Sequence, residues 1–394
     1  MNILFLCNKS PWPPKEGGSM AMNQLIEGLA NQGHRIKVLA VNSEKFFVKQ
    51  EQVPKEYLKK TDIEWIDVDL SFKPLSAFLN LFSKKSYHVS RFVSSQFQNR
   101  LTEVLKQESF DVIQLETLFM TPYISLIRKN CTAKIVLRTH NIEHLIWQRI
   151  YKQSRNPFKK FYLRHLFSTL RNYELNVIYQ PDGLIPITEK DAVFFKRHTH
   201  KPVQTIPFGM SVSDKNPENS ENALYHIGAM NWIPNVEGIR WFLNKVWPIL
   251  TKQHPDLRLY LAGREMPEWM IRLKQNNVKI VGEVEDAAAF VQSKSIGIAP
   301  LFSGSGIRIK IIESMRLGKA VVSTTIGAEG IDVQNGKNIL LADTPKDFAQ
   351  AISYLYTHTE EAAKMGKSAQ EHIKENHNPD EIIKQLTGFY RQIL

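Results

Sequence analysis

The sequence predicts an α/β protein of two halves, each a doubly wound parallel sheet with helices on both faces. Three observations lead there. Apolar runs of strand length alternate with helix-period segments along the whole chain. The pattern restarts near Ala223, after a polar stretch, Asp214–Glu221, that contains Pro217. The residues with special chemistry follow strands, which is where open parallel sheets bind ligands.

The first half opens with a strand, Ile3–Cys7, then a Pro-rich loop ending in Glu16-Gly17-Gly18, then a helix from Ser19 to Gln32. Gly33 stops that helix, because glycine accepts the left-handed conformation common at helix ends. A strand at Arg35–Val41 follows, and Glu51 to Asp69 reads as a helix followed by a strand. Further strands are expected at Val112–Leu115, Lys134–Arg138 and Gly183–Pro186, the second leading into Thr139-His140-Asn141. The second half begins with strand Ala223–Gly228 and a helix from Val236 to Lys252. Strands Arg258–Ala262 and Val278–Val281, a helix at Ala287–Gln292 and the apolar run Ser295–Leu301 continue the alternation. A helix carrying Glu313 precedes strands Ala320–Ser323 and Ile339–Leu341. Helices Pro345–Thr357, Glu360–Asn376 and Pro379–Leu394 end the chain. The expected domains are 1–205 and 206–378. Carboxyl-end loops from both would face each other across a cleft, one substrate to each domain.

The 394 residues suit two domains of roughly 200. With 43% apolar and 23% charged residues, the composition is that of a soluble globular protein. No apolar stretch reaches the roughly 20 residues of a membrane span. The first eight residues have no basic n-region, so they read as a strand rather than a signal peptide. Cys7 and Cys131 are isolated, with no metal spacing and no disulfide framework, which suits a reducing cytoplasm. The net charge of +12 is unevenly placed. Residues 1–205 hold 30 Lys and Arg against 18 Asp and Glu, whereas residues 206–394 hold 21 of each. Much of the excess lies in Arg149–Arg171, which has seven cations and no acid, with Tyr151, Phe158, Phe161, Tyr162, Leu166 and Phe167 interleaved. That pattern suits an anionic membrane surface, or else a solvated helix face whose aromatics pack inward. No nucleic-acid recognition motif accompanies the charge.

One segment carries the most chemistry. Ser303-Gly304-Ser305-Gly306 turns from the apolar run into a helix with Ile307, Ile311 and Met315 at i, i+4 and i+8. Unpaired amides and the positive dipole end make such a helix start an anion site. Arg308 and Lys310 in the first turn oppose the dipole preference for acids, and a bound phosphate or diphosphate would explain them. The alternative is a tight turn with both cations in solvent.

With His226-Ile227-Gly228-Ala229-Met230-Asn231-Trp232-Ile233-Pro234-Asn235, Gly304 to Met315, Val321 to Gly330, Gly17-Gly18, Thr139-His140-Asn141 and Ile206-Pro207-Phe208-Gly209, the chain resembles glycosyltransferase family 4 over essentially its whole length. The subgroup it looks closest to is that of sugar transferases in bacterial surface-polysaccharide clusters. The resemblance implies a GT-B fold and a retaining enzyme that uses a nucleotide diphosphate sugar. It also implies that the last helix, 379–394, packs back on the first domain. Glu313 matches the second glutamate of the family's E-x7-E motif, which contacts the ribose. The first falls on Ser305, so the donor sugar is not implied. Where the family commonly has an Arg and a Lys after the second domain's first strand, this chain has Ala229 to Asn235. Arg308 and Lys310 are therefore expected to hold the diphosphate from the helix start. His140 stands where the family's histidine faces the transferred sugar, with Asn141 where an Asp is frequent. Gly17 and Gly18 are expected in a loop near the donor phosphates. Gly228, Ser305, Gly306 and Ile307 are expected donor contacts.

Other positions stay open. Glu189 matches a Thr-Glu at the domain junction, but Thr188 with Glu189 and Asp191 also reads as a helix start. Trp232, Pro234 and Asn235 wall the nucleotide pocket or cap the next helix. Glu143 and His144 open a helix.

The expected activity is metal-independent transfer of a sugar, of hexosyltransferase type, to a glycan or lipid-linked acceptor in surface-polysaccharide synthesis. No metal ligands and no cofactor beyond the nucleotide sugar are expected. The expected place is the cytoplasm, peripheral on the inner face of the plasma membrane. The alternatives are a nucleotide-sugar epimerase of the same fold and a catalytically lapsed glycan-binding protein, for which the missing first glutamate speaks.

Overall fold

A computed structural model describes residues 1–14, 16–71, 73–212, 220–303 and 308–394. It forms two compact units, Met1–Gly209 with Pro379–Leu394, and Met210–Asn378. The change of unit falls after Gly209 rather than after residue 205. Ile206 packs into the first unit's core, and the Gly209 N–H donates to Gln24 Oε1 at 2.7 Å. Residues 213–219, most of the stretch read as the boundary, lie outside the described residues.

The first unit has six parallel strands: β1 (Asn2–Cys7), β2 (Arg35–Asn42), β3 (Ile63–Asp67), β4 (Val112–Glu116), β5 (Lys134–Thr139) and β6 (Gly183–Pro186). Their order is β3-β2-β1-β4-β5-β6. In β1 the alternation of side chains splits one apolar run between two cores. Ile3, Phe5 and Cys7 join the layer with Met22, Leu25 and Ile26. Leu4 and Leu6 join the layer with Phe97, Leu101 and Leu115 on the other face. The last helix, Pro379–Ile393, contributes Ile382, Ile383, Leu386, Phe389 and Tyr390 to the first of these layers.

The second unit repeats the scheme with β7 (Glu221–Ile227), β8 (Leu259–Ala262), β9 (Val278–Gly282), β10 (Lys294–Ala299), β11 (Ala320–Ser323) and β12 (Leu340–Leu341). The order is β12-β11-β10-β7-β8-β9. Each unit therefore reverses winding direction between its first and fourth strands, β1 and β4 or β7 and β10. Loops leaving the carboxyl ends there part to opposite faces and leave a place for ligand.

Three expectations need correction. Gly17 and Gly18 are not in a loop: they open the helix Gly17–Asn31, with Glu16 at the N-cap. Arg308 is the N-cap of the helix Ile309–Arg316 rather than part of its first turn. The helix read from Val236 is broken. Ile233–Trp241 is α-helical, Phe242–Val246 is a π turn, and Trp247–Gln253 resumes the α form. Pro248 lies at the start of that last piece, where a missing N–H is tolerated.

Candidate active site

In the first unit, β1, β4 and β5 end at one level. Cys7 is in register with Glu116, and Glu116 with Arg138. Glu116 and Arg138 are fully buried, 3.7 Å apart. The Glu116 carboxylate accepts from His140 Nε2 at 2.8 Å and from the Gln114 amide at 2.6 Å. Gln114 accepts in turn from the Tyr390 hydroxyl of the last helix. Arg138 donates to the Ala21 carbonyl at 2.8 Å. Because a carboxylate only accepts, His140 carries its proton on Nε2 and keeps Nδ1 as an acceptor. Thr117, next to Glu116, has φ of 78°, a strained conformation for a β-branched residue.

Burial lowers the His140 pKa more than the Glu116 bond raises it, and Arg138 and Lys9 lower it further. His140 is a neutral imidazole at physiological pH. Burial alone would raise Glu116, but Arg138 and the His140 bond outweigh it and hold the carboxyl below its ordinary range. Gly18 lies against this group. A Cβ there would come within 3.0 Å of Lys9 Cε and Nζ and 4.0 Å of His140 Nδ1. Lys9 pairs with Glu16 at 3.2 Å and lies over the Phe46 ring. As the first residues of a helix, Gly17 and Gly18 present backbone amides at its positive end without side chains to block them.

Asn141 donates to Glu143 Oε1 at 3.3 Å. Glu143 and His144 do open a helix, Glu143–Gln153, and the buried Glu174 caps it. Glu174 accepts the backbone N–H of Glu143 and of His144, each at 3.0 Å, and the His144 ring nitrogen at 2.7 Å. Burial, then the Glu174 charge, raises the Glu143 pKa to about 8. Glu189 is exposed. Its carboxylate meets Lys196 at 3.4 Å and the Thr205 hydroxyl, while Thr188 caps the helix by accepting from Asp191 N. That is the geometry of a helix start, and Glu189 is not among the groups gathered around His140.

In the second unit, the loop after β7 and the helix after β10 come together. Lys310 Nζ donates to Asn235 Oδ1 at 2.5 Å and to His226 Nε2 at 3.3 Å. His226 can accept because its Nδ1–H is committed to the Ile298 carbonyl at 2.9 Å. Burial, then Lys310, lowers the His226 pKa well below the usual value, so both of these partners are neutral. Arg308 is buried, its guanidinium 5.4 Å from the centre of the Trp232 ring. Trp232 is thus both the N-cap of the helix Ile233–Trp241 and a platform under a cation. Gly228 is required here, since a Cβ would lie 2.7 Å from Lys310 Nζ and 2.9 Å from Asn235 Nδ2. A small recess lined by Tyr225, Gly297, Ile298, Lys310 and Ser314 adjoins the ammonium. Glu313, one turn on, pairs with Arg316 at 2.7 Å and is half-buried. Ser305, Gly306 and Ile307 lie outside the described residues.

Burial, then repulsion from Arg308, lowers the Lys310 pKa to about 7. Two cations at the positive end of a helix, Arg308 buried and Lys310 half-buried, form a site that an anion would relieve. Anion binding must therefore draw a proton onto Lys310 above pH 7. Affinity for a nucleoside diphosphate is expected to fall by up to about tenfold per pH unit above 7, the limit for uptake of one proton. The fall continues to the raised pKa of the complex. Titration calorimetry from pH 6 to 9 checks this. A flat profile, or an equal slope in Lys310→Met, would show that Lys310 does not take up that proton.

The sequence reading missed Glu116, Gln114, Tyr390 and Lys9. A visible signal existed for Glu116: it is an acid closing a strand whose one other polar residue is Gln114. Its pairing with His140 depended on β4 and β5 being neighbours. His226 stands in the quoted motif without a role and Asn235 only as a pocket wall or helix cap, whereas in the structure they are the two groups that hold Lys310.

Residues 221–358 match the family model described as Glycosyl transferases group 1. An uncharacterized 44.6 kDa protein in the cps region of Klebsiella pneumoniae is 23% identical over 98% of each chain. Among solved structures, sucrose-phosphate synthase of Thermosynechococcus elongatus superposes with a TM-score of 0.74 at 15% identity, over 100% of this chain and 99% of that one. HepE of Anabaena, solved with UDP, gives 0.67 at 15% identity over 100% of both chains. Residues 221–358 are thus a group 1 glycosyltransferase segment by sequence, and the chain that carries them has the GT-B fold.

Proposed function

We propose that this protein is a retaining glycosyltransferase of hexosyltransferase type, and that it moves a sugar from a nucleotide diphosphate sugar to a glycan or lipid-linked acceptor in surface-polysaccharide synthesis. The observation that carries the reading is the pair of cations, Arg308 buried and Lys310 half-buried, at a helix start inside the group 1 segment. The cps-region relative supports the biosynthetic setting, and UDP in HepE supports the donor class.

In this reading the second unit holds the donor. As the glycosidic bond breaks, the leaving diphosphate gains negative charge. Lys310, Arg308 and the helix amides meet that charge where it develops, so they stabilise the transition state more than the ground state. Chain cations do the work a metal would do elsewhere, and no metal is needed. Trp232 and Gly228 shape the approach, and Glu313 accepts from the ribose once it leaves Arg316. In the first unit, neutral His140 orients a sugar hydroxyl through Nδ1, with Gly17 and Gly18 leaving room for the substrate. Asn141 keeps Glu143 in place rather than acting as a base.

A thermal-shift screen with UDP, GDP, ADP and their sugar conjugates, with and without EDTA, tests the donor site. At a hundred times the dissociation constant, a binding nucleotide adds about 2.7 kcal/mol, a rise of a few degrees. One base should stand out, equally with EDTA. No shift with any nucleotide would sink the reading. Conversion of the donor without acceptor would turn it into an epimerase.

A further inference from the structure

Leu75, Phe78, Leu79 and Phe82 fall at i, i+3, i+4 and i+7, the spacing of a stripe that a helix normally turns to its core. On and just beyond the helix Pro74–Asn80 they are 57–81% exposed instead. Phe78 and Phe82 touch edge to face at 5.8 Å. A second helix, Pro157–Val177, buries Leu163, Leu166 and Leu170, yet leaves Phe158 and Phe161 at 87% and 70% exposure. Tyr151, Tyr162, Leu166 and Phe167 pack inward, so the inward reading of this basic segment holds for those four and fails for Phe158 and Phe161.

The two exposed sets belong to one region. His165 Nε2 donates to the Asn80 carbonyl at 2.9 Å. Phe158, Phe161 and His165 share one helix face at i, i+3 and i+7. Tyr87, which accepts from Lys73 N at 3.2 Å, packs on Leu163 and Leu166. The short helix and its following turn are therefore fastened to the exposed aromatic end of the long one.

The charge within these two stretches of chain has one sign. Residues 70–102 hold five Lys and Arg and no acid, and residues 144–173 hold seven and no acid. Lys84, Lys85, Arg155, Lys159 and Arg164 are exposed. Asp69 pairs with Lys73 at 2.9 Å and Arg100 pairs with Glu64 and Glu103, so the positive excess beside the apolar set rests on Lys84, Lys85 and the cations of the long helix, and it complements a negative surface better than a second copy of itself. No helix among the described residues is long and apolar enough to cross a membrane, so contact would be with one leaflet.

We propose that this face docks on an anionic lipid bilayer. Leu75, Phe78, Leu79, Phe82, Phe158 and Phe161 enter the boundary between headgroups and acyl chains, and the flanking Lys and Arg meet lipid phosphates. The inference goes beyond sugar transfer and does not depend on it, because the test contains no nucleotide or sugar.

Flotation compares phosphatidylcholine vesicles with vesicles of equal parts phosphatidylcholine and phosphatidylglycerol. Wild type should bind the anionic vesicles, with partition falling as salt rises. Phe78→Ser, Phe82→Ser, Phe158→Ser and Phe161→Ser together should weaken partition by at least about tenfold, given the apolar area lost from the boundary. Phe158→Ser with Phe161→Ser alone should weaken it in the same direction, and keeps the test open if the fourfold variant misfolds. Lys159→Gln with Lys160→Gln should lower binding to anionic vesicles only. No binding by wild type, or equal binding by the aromatic variants, would overturn the proposal. So would a dimer in light scattering that those variants dissolve, since the occupant would then be a second copy.

Discussion

Arg308→Ala and Lys310→Ala are each expected to lower turnover of a nucleotide sugar by about a hundred- to a thousandfold, the range found when one preorganised group facing developing charge is removed. The reason is where these cations sit. Lys310 is half-buried and bonded only to neutral oxygen and nitrogen partners among the contacts described, Asn235 and His226. Arg308 is buried against Trp232. Holding the Lys310 ammonium against neutral partners is not a placement that stability alone would select, because withdrawing a charge from water costs free energy. Lys310→Met should therefore do two things at once: weaken nucleotide binding and leave the empty protein as stable as wild type or more so, most visibly at low pH. The sign follows from linkage. The folded pKa near 7 is below the ordinary lysine value. The unfolded chain thus binds more protons between those values, so the lysine's penalty is fully present below pH 7 and fades as pH rises. Steady-state kinetics and melting curves on the same preparations check both halves. Wild-type turnover in both alanine variants would remove the basis of the proposed function.

Loss of Glu116 is expected to be the most damaging change in the first unit. Glu116→Ala leaves the Arg138 guanidinium buried without its carboxylate, and breaking one side of a buried pair destabilises by about 3–5 kcal/mol. Glu116→Leu with Arg138→Met removes both charges and should recover most of that stability. It should not recover activity, because His140 then has nothing to fix its tautomer or ring orientation. The double variant separates the two roles: denaturant midpoints report stability, and kcat/KM reports the positioning of His140. Full activity in the stable double variant would reduce Glu116 to a structural residue. In wild type the carboxyl sits below its ordinary range. Its contribution is therefore complete above the ordinary carboxylate pKa and lost only as pH falls through the lower folded value. The acid limb of the stability curve should flatten when Glu116 is removed.

Much of the fold was legible in advance because the strands of a covered parallel sheet are apolar on both sides. Ile3–Cys7 and Ser295–Leu301 announce themselves as short continuous runs. The helix at Val236 was misread because the periodicity of Val236, Ile239, Phe242 and Leu243 is the same whether the backbone stays α or widens to a π turn. Gly17 and Gly18 were assigned to a loop because glycine is a poor helix former, whereas a first turn asks little of it.

Sequence alone determined the chemistry on offer: a helix start with the cations Arg308 and Lys310, a histidine after a strand at His140, an excess of positive charge in the first half, and two repeats of strand and helix. Those are properties of local order, set by neighbours along the chain. Tertiary structure decided the partners. Glu116 reached His140 because β4 and β5 are adjacent, Lys310 reached His226 and Asn235 because β10 lies beside β7, and Tyr390 reached Gln114 from the far end of the chain. It also decided exposure. The stripe from Leu75 to Phe82 has the spacing of a core helix, and only the packing of the rest of the unit leaves it uncovered. Periodicity says which side chains share a face, but what that face meets depends on contacts far apart in sequence.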